Sequence, residues 1–296
     1  MLDLSIIIVN YNTKEFLKNC LISIISSMDG KLSYEVIVVD NFSSDHSAEM
    51  VKKEFPKIKL IANKNNVGFS KANNQGIKIS QKSRYVLFLN PDTVMQNQTM
   101  EEMVKLMDTH KDAGAATCKL VMLNGKIDNA SHRGFPTPWN SFSHFSGLEK
   151  LFPKSKLFAG YSLGFLDLNK THKIDVLAGA FMLVRRIAGN EAGWWDEDYF
   201  FYGEDIDFCY MLKQLGWKIY YVPTVFVTHY KGVSGGIKSV SKEITTANEE
   251  TKKRATKWRF AAMRIFYNKH YKQKYPGLIN FLVDKGIWLR GKLTGI

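Results

Sequence analysis

The sequence predicts a doubly wound α/β fold, a Rossmann-like, mostly parallel sheet with helices on both faces, followed by a basic C-terminal helical extension. Three observations carry this. Up to residue 89, short β-branched runs alternate three times with longer helical patterns. The runs are continuously apolar, as in strands covered on both faces. Nearly all of the net charge lies beyond residue 250.

In order, Leu4 to Val9, Tyr34 to Val39, Ile58 to Ile61 and Tyr85 to Leu89 read as buried strands. Between them Thr13 to Ser27, Asp45 to Phe55 and Ser70 to Ser80 carry helical spacing, with Leu17, Leu21 and Ile24 forming a stripe. Asn124 to Lys173, with Pro136, Pro138 and Pro153, reads as a mobile excursion beside a site. Asp175 to Val184 reads as a strand whose small residues at 178 to 180 let a ligand approach the backbone. After Gly203, the stripe Phe208, Met211, Leu212 and Leu215 predicts a helix ending at Gly216, and Val225 to Thr228 a further strand. This divides the chain into a domain over 1–240, with halves of about 1–120 and 121–240, and an extension over 241–296.

The length of 296 residues suits one large domain or two modest ones. Against 28 acidic residues stand 41 Lys and Arg, for a net charge of +13. Residues 251–296 hold 12 of the basic residues and a single acid, Asp284, so +11 of that charge belongs to the tail. Cys20, Cys118 and Cys209 lie far apart with no Cys/His cluster, which argues against a disulfide framework or zinc site and for a reducing cytoplasm. The N-terminus has no basic leader, so no signal peptide is expected. No run approaches the roughly 20 apolar residues of a membrane span. Leu278 to Leu289, the nearest, is broken by Asp284 and Lys285. In the tail, Lys252, Lys253, Arg254, Lys257 and Arg259 stand among Trp258, Phe260 and Phe266. Such a basic amphipathic segment suits an anionic membrane surface. A nucleic-acid surface is the rival reading and a helix packed on the domain the plain one. The membrane reading is preferred, which places the protein peripherally on the inner face of the cell membrane and without a nucleic-acid partner.

In open α/β sheets ligands sit beyond the carboxyl ends of the strands. Here those ends are polar each time: Asn10-Tyr11-Asn12, Asp40-Asn41 with Ser43, then Asn65-Asn66-Val67-Gly68-Phe69, then Asn90-Pro91-Asp92. Any one of them is an ordinary turn. Four in succession, two of them with acids, point to a polar ligand. There is no GxGxxG after the first strand and no GxxxxGK[ST] anywhere, so dinucleotide and P-loop readings fail. One or two carboxylates holding Mg2+ or Mn2+ against substrate phosphates would serve instead. Further on, Trp194 to Gly203 sets aromatics beside acids, a composition suited to a sugar face, although core packing is the plainer expectation for Trp195 and Phe200. Glu204, Asp205 and Asp207 crowd one helix start. Crowding of like charges raises at least one of their pKa values and supplies a general base, and periodicity does not choose among them.

Ile8 to Asn12, Val38 to Asp45, Asn65 to Phe69 with Asn73-Asn74-Gln75-Gly76, Leu89 to Asp92, Gly203 to Asp207 and His229 to Gly232 together resemble the family 2 glycosyltransferases of the GT-A fold, in their rhamnosyltransferase-like subgroup. The resemblance implies an inverting, metal-dependent glycosyltransferase. Asp40 would bind the donor base, beside Asn10, Tyr11, Asn12, Asn41 and Ser43. Asn66, Gly68, Phe69, Asn73, Asn90, Gly179 and Lys231 would complete the nucleotide-sugar site. Asp92 would hold the Mg2+ or Mn2+, with His229 as a further ligand or a structural residue, and Asn90 stands where the wider family often has a second Asp. Asp205 becomes the general base, with Glu204, Asp207 and Trp195 on the acceptor side. The implied donor is a dTDP- or UDP-linked sugar, with L-rhamnose from dTDP-rhamnose favoured. The acceptor is a glycan or polyprenyl-diphosphate-linked sugar of cell-surface polysaccharide. A non-catalytic sugar-nucleotide-binding subunit and a sugar-phosphate nucleotidyltransferase are the alternatives. The intact Glu204-Asp205 pair weighs against the first, and the missing Gly-rich basic loop near the first strand against the second.

Overall fold

A computed structural model of the chain describes residues 1–28, 30–237 and 243–295. The first half follows the expected alternation: β1 (Leu2–Asn10), α1 (Lys14–Ser27), β2 (Tyr34–Asp40), α2 (Ser47–Glu54), β3 (Lys59–Ala62), α3 (Phe69–Ile79) and β4 (Ser83–Leu89). β1, β2 and β4 are almost fully buried, because Leu17, Leu21 and Ile24 of α1 cover one face and Ala72 of α3 helps cover the other. Then come β5 (Thr93–Met95), α4 (Thr99–Thr109) and β6 (Ala113–Val121). The expected excursion holds α5 (Pro138–Ser146), α6 (Leu148–Leu151) and β7 (His172–Ile174), so much of it is ordered. Pro138 at the first turn and the Thr137 hydroxyl, which accepts from Asn140 N, start α5.

The remaining elements are β8 (Phe181–Arg185), α7 (Arg186–Ala192), α8 (Glu204–Gln214), β9 (Lys218–His229), α9 (Glu249–His270) and α10 (Gly277–Leu293). The strand expected over Asp175 to Val184 starts only at Phe181. Val176 instead pairs with Arg133 in an isolated bridge, leaving Ala178-Gly179-Ala180 as a loop.

All nine described strands join one sheet, ordered β3-β2-β1-β4-β8-β6-β9-β5 with β7 beside β9. It is parallel from β3 to β4 and mixed beyond, since β8, β5 and β7 each pair antiparallel with their neighbours. The expectation of a mostly parallel sheet holds, since β6 and β9 pair parallel and run with the first four strands, while β8, β5 and β7 run against them. β6 runs between β8 and β9, so the two expected halves share one sheet. The boundary expected at 240/241 lies outside the described residues.

The tail divides into two unlike helices. α9, capped by the Asn248 side chain, buries Ala262, Phe266 and Tyr267 against Tyr199 and Tyr210 of the domain. His270 Nε2 lies 2.6 Å from Asp207 Oδ1 and Lys269 Nζ 2.6 Å from Asp198. The plain reading of a packed helix thus holds for α9. In α10 only Gly291 is buried. No described helix is long and apolar enough to cross a membrane.

Candidate active site

The carboxyl ends of β1, β2 and β4, the 178–180 loop, the start of α8, the end of β9 and the inner faces of α5, α9 and α10 enclose one cleft of about 1040 Å³. Tyr11, Asn41, Asn66, Gly68, Phe69, Asn90, Asp92, Gly179, Glu204, Asp205, His229 and Lys231 line it. Most of the expected residues are therefore brought together.

Asn10, Asn12, Asp40 and Ser43 lie behind that wall. Asp40 accepts from Asn10 Nδ2 and from Ser43 N, each at 3.0 Å, and the Ser43 hydroxyl accepts from Asn12 N at 2.9 Å. Asp40 is buried, does not line the cleft, and holds its own loops with one accepted hydrogen bond on each oxygen. Its neighbour Asn41 faces the cleft and knits the third loop, accepting from Val67 N and donating to Asn66. Asn73 donates to Phe69 O within α3. Gly68, at φ +89°, has the carbonyl of Phe200 where a Cβ would stand, 2.9 Å away, which lets Phe69 N donate to that carbonyl. The loop over residues 65–69 is thereby fastened to the segment before α8.

On the opposite wall Asp92 and His229 face each other, with Oδ1 and Nε2 3.5 Å apart. β5 pairs with β9 so that Thr93 sits opposite His229, which fixes this meeting. His229 Nδ1 is held at 3.0 Å by Asp128, a buried carboxylate that also takes Lys231. Burial opposes charge on the imidazole, but Asp92 and then Asp128 outweigh it and push its pKa up to about 9. His229 and Lys231 together hold Asp128 far below the usual carboxylate range, against its own burial. Nε2 of His229 is buried without a hydrogen-bond partner and aimed at Asp92. A histidine oriented by a carboxylate behind it, with Nε2 facing a second carboxylate, is a donor set that suits a divalent cation once the cation displaces the Nε2 proton. The described residues hold no converging set of three or more such ligands, so substrate oxygens would have to supply the rest.

Of the three acids at the start of α8, each has a separate environment. Asp207 accepts from Tyr199 and meets His270, binding α8 to α9 and not reaching the cleft. Glu204 is buried with Oε2 unpartnered, and burial, then the charge of Asp205, push its carboxyl well above the usual range. Asp205 opens on the cleft, accepts from Ile206 N, and pairs at 2.7 Å with Arg133, whose Nε donates to Ala130 O. Burial first and crowding second therefore raise Glu204. Gly203, at φ +85°, admits Ala262 of α9 where a Cβ would stand, 2.9 Å off, so α9 closes directly over this helix start.

Trp195 is a core residue, edge-on to Phe69 and Phe88 and stacked on Phe208. Phe200 differs from the core placement expected of it: it lines the cleft and stacks on Trp258 of α9 at 4.1 Å. Sequence reasoning missed Arg133, Asp128 and the α9 wall. The first two are single charged residues in an irregular stretch, and their only signal was that such a stretch lies beside a site.

A Rossmann-like half joined to a mixed half, with an acid after β4 and another at a helix start across one cleft, defines a GT-A glycosyltransferase. The chain belongs to glycosyl transferase family 2, whose model matches residues 5–186. It is 27% identical over 233 residues to the rhamnosyltransferase WbbL of Escherichia coli K12, covering 76% of this chain and 82% of that one. It is 26% identical over 243 residues to N-acetylglucosaminyl-diphospho-decaprenol L-rhamnosyltransferase of Mycobacterium tuberculosis, covering 79% and 78%. Among solved structures, GalNAc-T7 with UDP, GalNAc and Mn2+ superposes with a TM-score of 0.59 at 16% identity over 92% of this chain, which spans 58% of that one.

Asp40→Ala is expected to weaken nucleotide binding with or without metal, because the loops it ties shape the pocket. It should also cost about 1–3 kcal/mol of stability by leaving Asn10 Nδ2 and Ser43 N unpaired. Asp92→Ala should remove only the metal-dependent increment. Calorimetry showing the same metal-dependent loss in both variants would overturn this division.

Proposed function

We propose that the chain transfers a sugar, L-rhamnose from dTDP-rhamnose as first choice, from a nucleotide-sugar to a hydroxyl of a glycan or polyprenyl-diphosphate-linked acceptor, with inversion, in polysaccharide synthesis. The observation that carries this is the opening of the Asp205 carboxylate on the same cleft as Asp92 and His229. The donor's nucleoside end lies against Tyr11, Asn41, Asn66 and Gly68, and its diphosphate toward Asp92 and Lys231. Asp92 and His229 would hold Mg2+ or Mn2+, which when bound would supply positive charge against the leaving diphosphate. Asp205 takes the proton of the acceptor hydroxyl while that oxygen bonds to the anomeric carbon and the bond from that carbon to the phosphate oxygen breaks. One displacement suffices, and no covalent nucleophile is needed. Arg133 fixes the carboxylate that takes the proton.

Both rhamnosyltransferase relatives support the choice of sugar, and the name of the mycobacterial one supports a lipid-linked acceptor. A thermal-shift screen of dTDP- and UDP-sugars, with and without Mn2+, tests the donor. A ligand at 100 times its Kd should add about 2.7 kcal/mol. Stabilisation by dTDP-rhamnose above the others, enhanced by Mn2+, is expected. No response to any nucleotide sugar would refute the reading.

A further inference from the structure

The 17-residue helix α10 has one buried residue, yet it is rich in large apolar side chains. Its faces do different things. Ile279, Val283, Ile287 and Arg290 line the cleft. Leu278, Phe281 and Trp288 do not line it, and they are 70%, 57% and 50% exposed. At spacings of three, four and three residues, Leu278, Phe281, Lys285 and Trp288 form one outward stripe. The Lys285 ammonium lies 5.5 and 5.9 Å from the Phe281 and Trp288 rings. A second exposed apolar patch lies on α5, the end of α6 and the turns after it: Trp139, Phe142, Leu151, Phe152 and Leu157. Lys150, Lys154 and Lys156 stand among these residues. The two patches meet where the Arg290 guanidinium covers the Phe145 ring at 4.1 Å.

We propose that α10 and the Trp139–Leu157 segment together form one surface that seats on an anionic lipid bilayer, so that the cleft opens at the membrane. Charge selects this occupant. Both patches carry lysines, and their acids are engaged, Asp284 near Arg264 and Glu149 with His144. A second copy of the chain would therefore set basic surface against basic surface. A protein partner's interface core is poor in lysine, whereas here lysines are interleaved with the apolar residues, as in helices lying in a bilayer interface. Exposed leucines between the aromatics serve acyl chains and offer nothing to nucleic-acid bases. α9 has no part in this, because its apolar face is already covered by the domain. The inference rests on the lipid-linked acceptor reading only for why the cleft opens there, and it is tested without turnover.

The full-length chain is floated with vesicles of phosphatidylglycerol in phosphatidylcholine and with phosphatidylcholine alone, at low and high salt. Flotation with the anionic vesicles, weakened by salt, is expected. Leu278→Ser with Phe281→Ser and Trp288→Ser, and separately Phe152→Ser with Leu157→Ser, should each lower vesicle affinity about tenfold or more. All five sites lie off the cleft wall, so donor-nucleotide affinity and melting temperature should stay as in the parent, which shows that the variants fold. A parent chain that stays soluble with anionic vesicles overturns the proposal. Variants that float like the parent do so too, as does light scattering that shows a dimer broken by the same substitutions. Loss of flotation with unchanged nucleotide binding separates this surface from the donor reading. Failure of the nucleotide screen with flotation intact would overturn that reading alone.

Discussion

Asp205→Asn is expected to lower kcat by about 10²- to 10⁴-fold, the usual contribution of a general base, while donor affinity stays nearly unchanged. The substitution keeps shape but leaves one oxygen where Ile206 N and Arg133 now bond two, so the amide oxygen serves one of them and the other loses its acceptor. What disappears is the basic oxygen. A loss of interaction felt only in the transition state lowers kcat and kcat/KM together. Steady-state kinetics beside calorimetric titration of the donor nucleotide give the two quantities. If donor affinity fell as far as kcat, Asp205 would be part of the donor or metal site and another group would take the proton. Glu204→Gln is the companion. That carboxyl is buried without a partner on Oε2 and is already biased toward its neutral form, so the neutral amide should cost far less than Asp205→Asn.

The donor side was legible because its signals are local. Continuous apolar runs gave β1, β2 and β4 to within a few residues, and the polar strand ends follow from a fold that puts ligands there. The hydrogen bonds by which Asp40 holds its own loops were not legible. Whether a carboxylate at a strand end faces ligand or holds its own loops depends on where Asn10 and Ser43 point, and that is a tertiary fact. The mixed half of the sheet was hidden for a related reason, since a run such as Phe181 to Arg185 reads alike whichever way its neighbours travel. Both tail helices are basic, α9 with seven Lys and Arg against two Glu and α10 with three against Asp284, so the sign of the charge did not separate them. What separates them is Gly203, whose missing Cβ lets α9 settle onto α8, while α10 has nothing comparable to rest on.

Arg133 carries the second large effect. It is the counter-charge of Asp205, with both side chains mostly shielded at 14% and 16% exposure, and its backbone is tied to Val176 in both directions. Removing one partner of a shielded ion pair strands the other, at a cost of about 3 kcal/mol or more. In Arg133→Met the stranded carboxylate would lie beside Glu204, whose own carboxyl is raised by burial and by Asp205. Both melting temperature and kcat should therefore fall. Arg133→Lys keeps charge but not the fork that spans Asp205, Ala130 O and Leu177 O, so it should restore stability more than kcat. The double variant with Asp205→Asn separates pairing from general damage. If the two residues act as a pair, adding Arg133→Met to Asp205→Asn should cost less stability than adding it to the parent, by about 1–3 kcal/mol of coupling. Additivity within about 0.5 kcal/mol in chemical denaturation would show that Arg133 supports the loop and not the carboxylate, and its place beside the proton-accepting oxygen would then have no part in the chemistry.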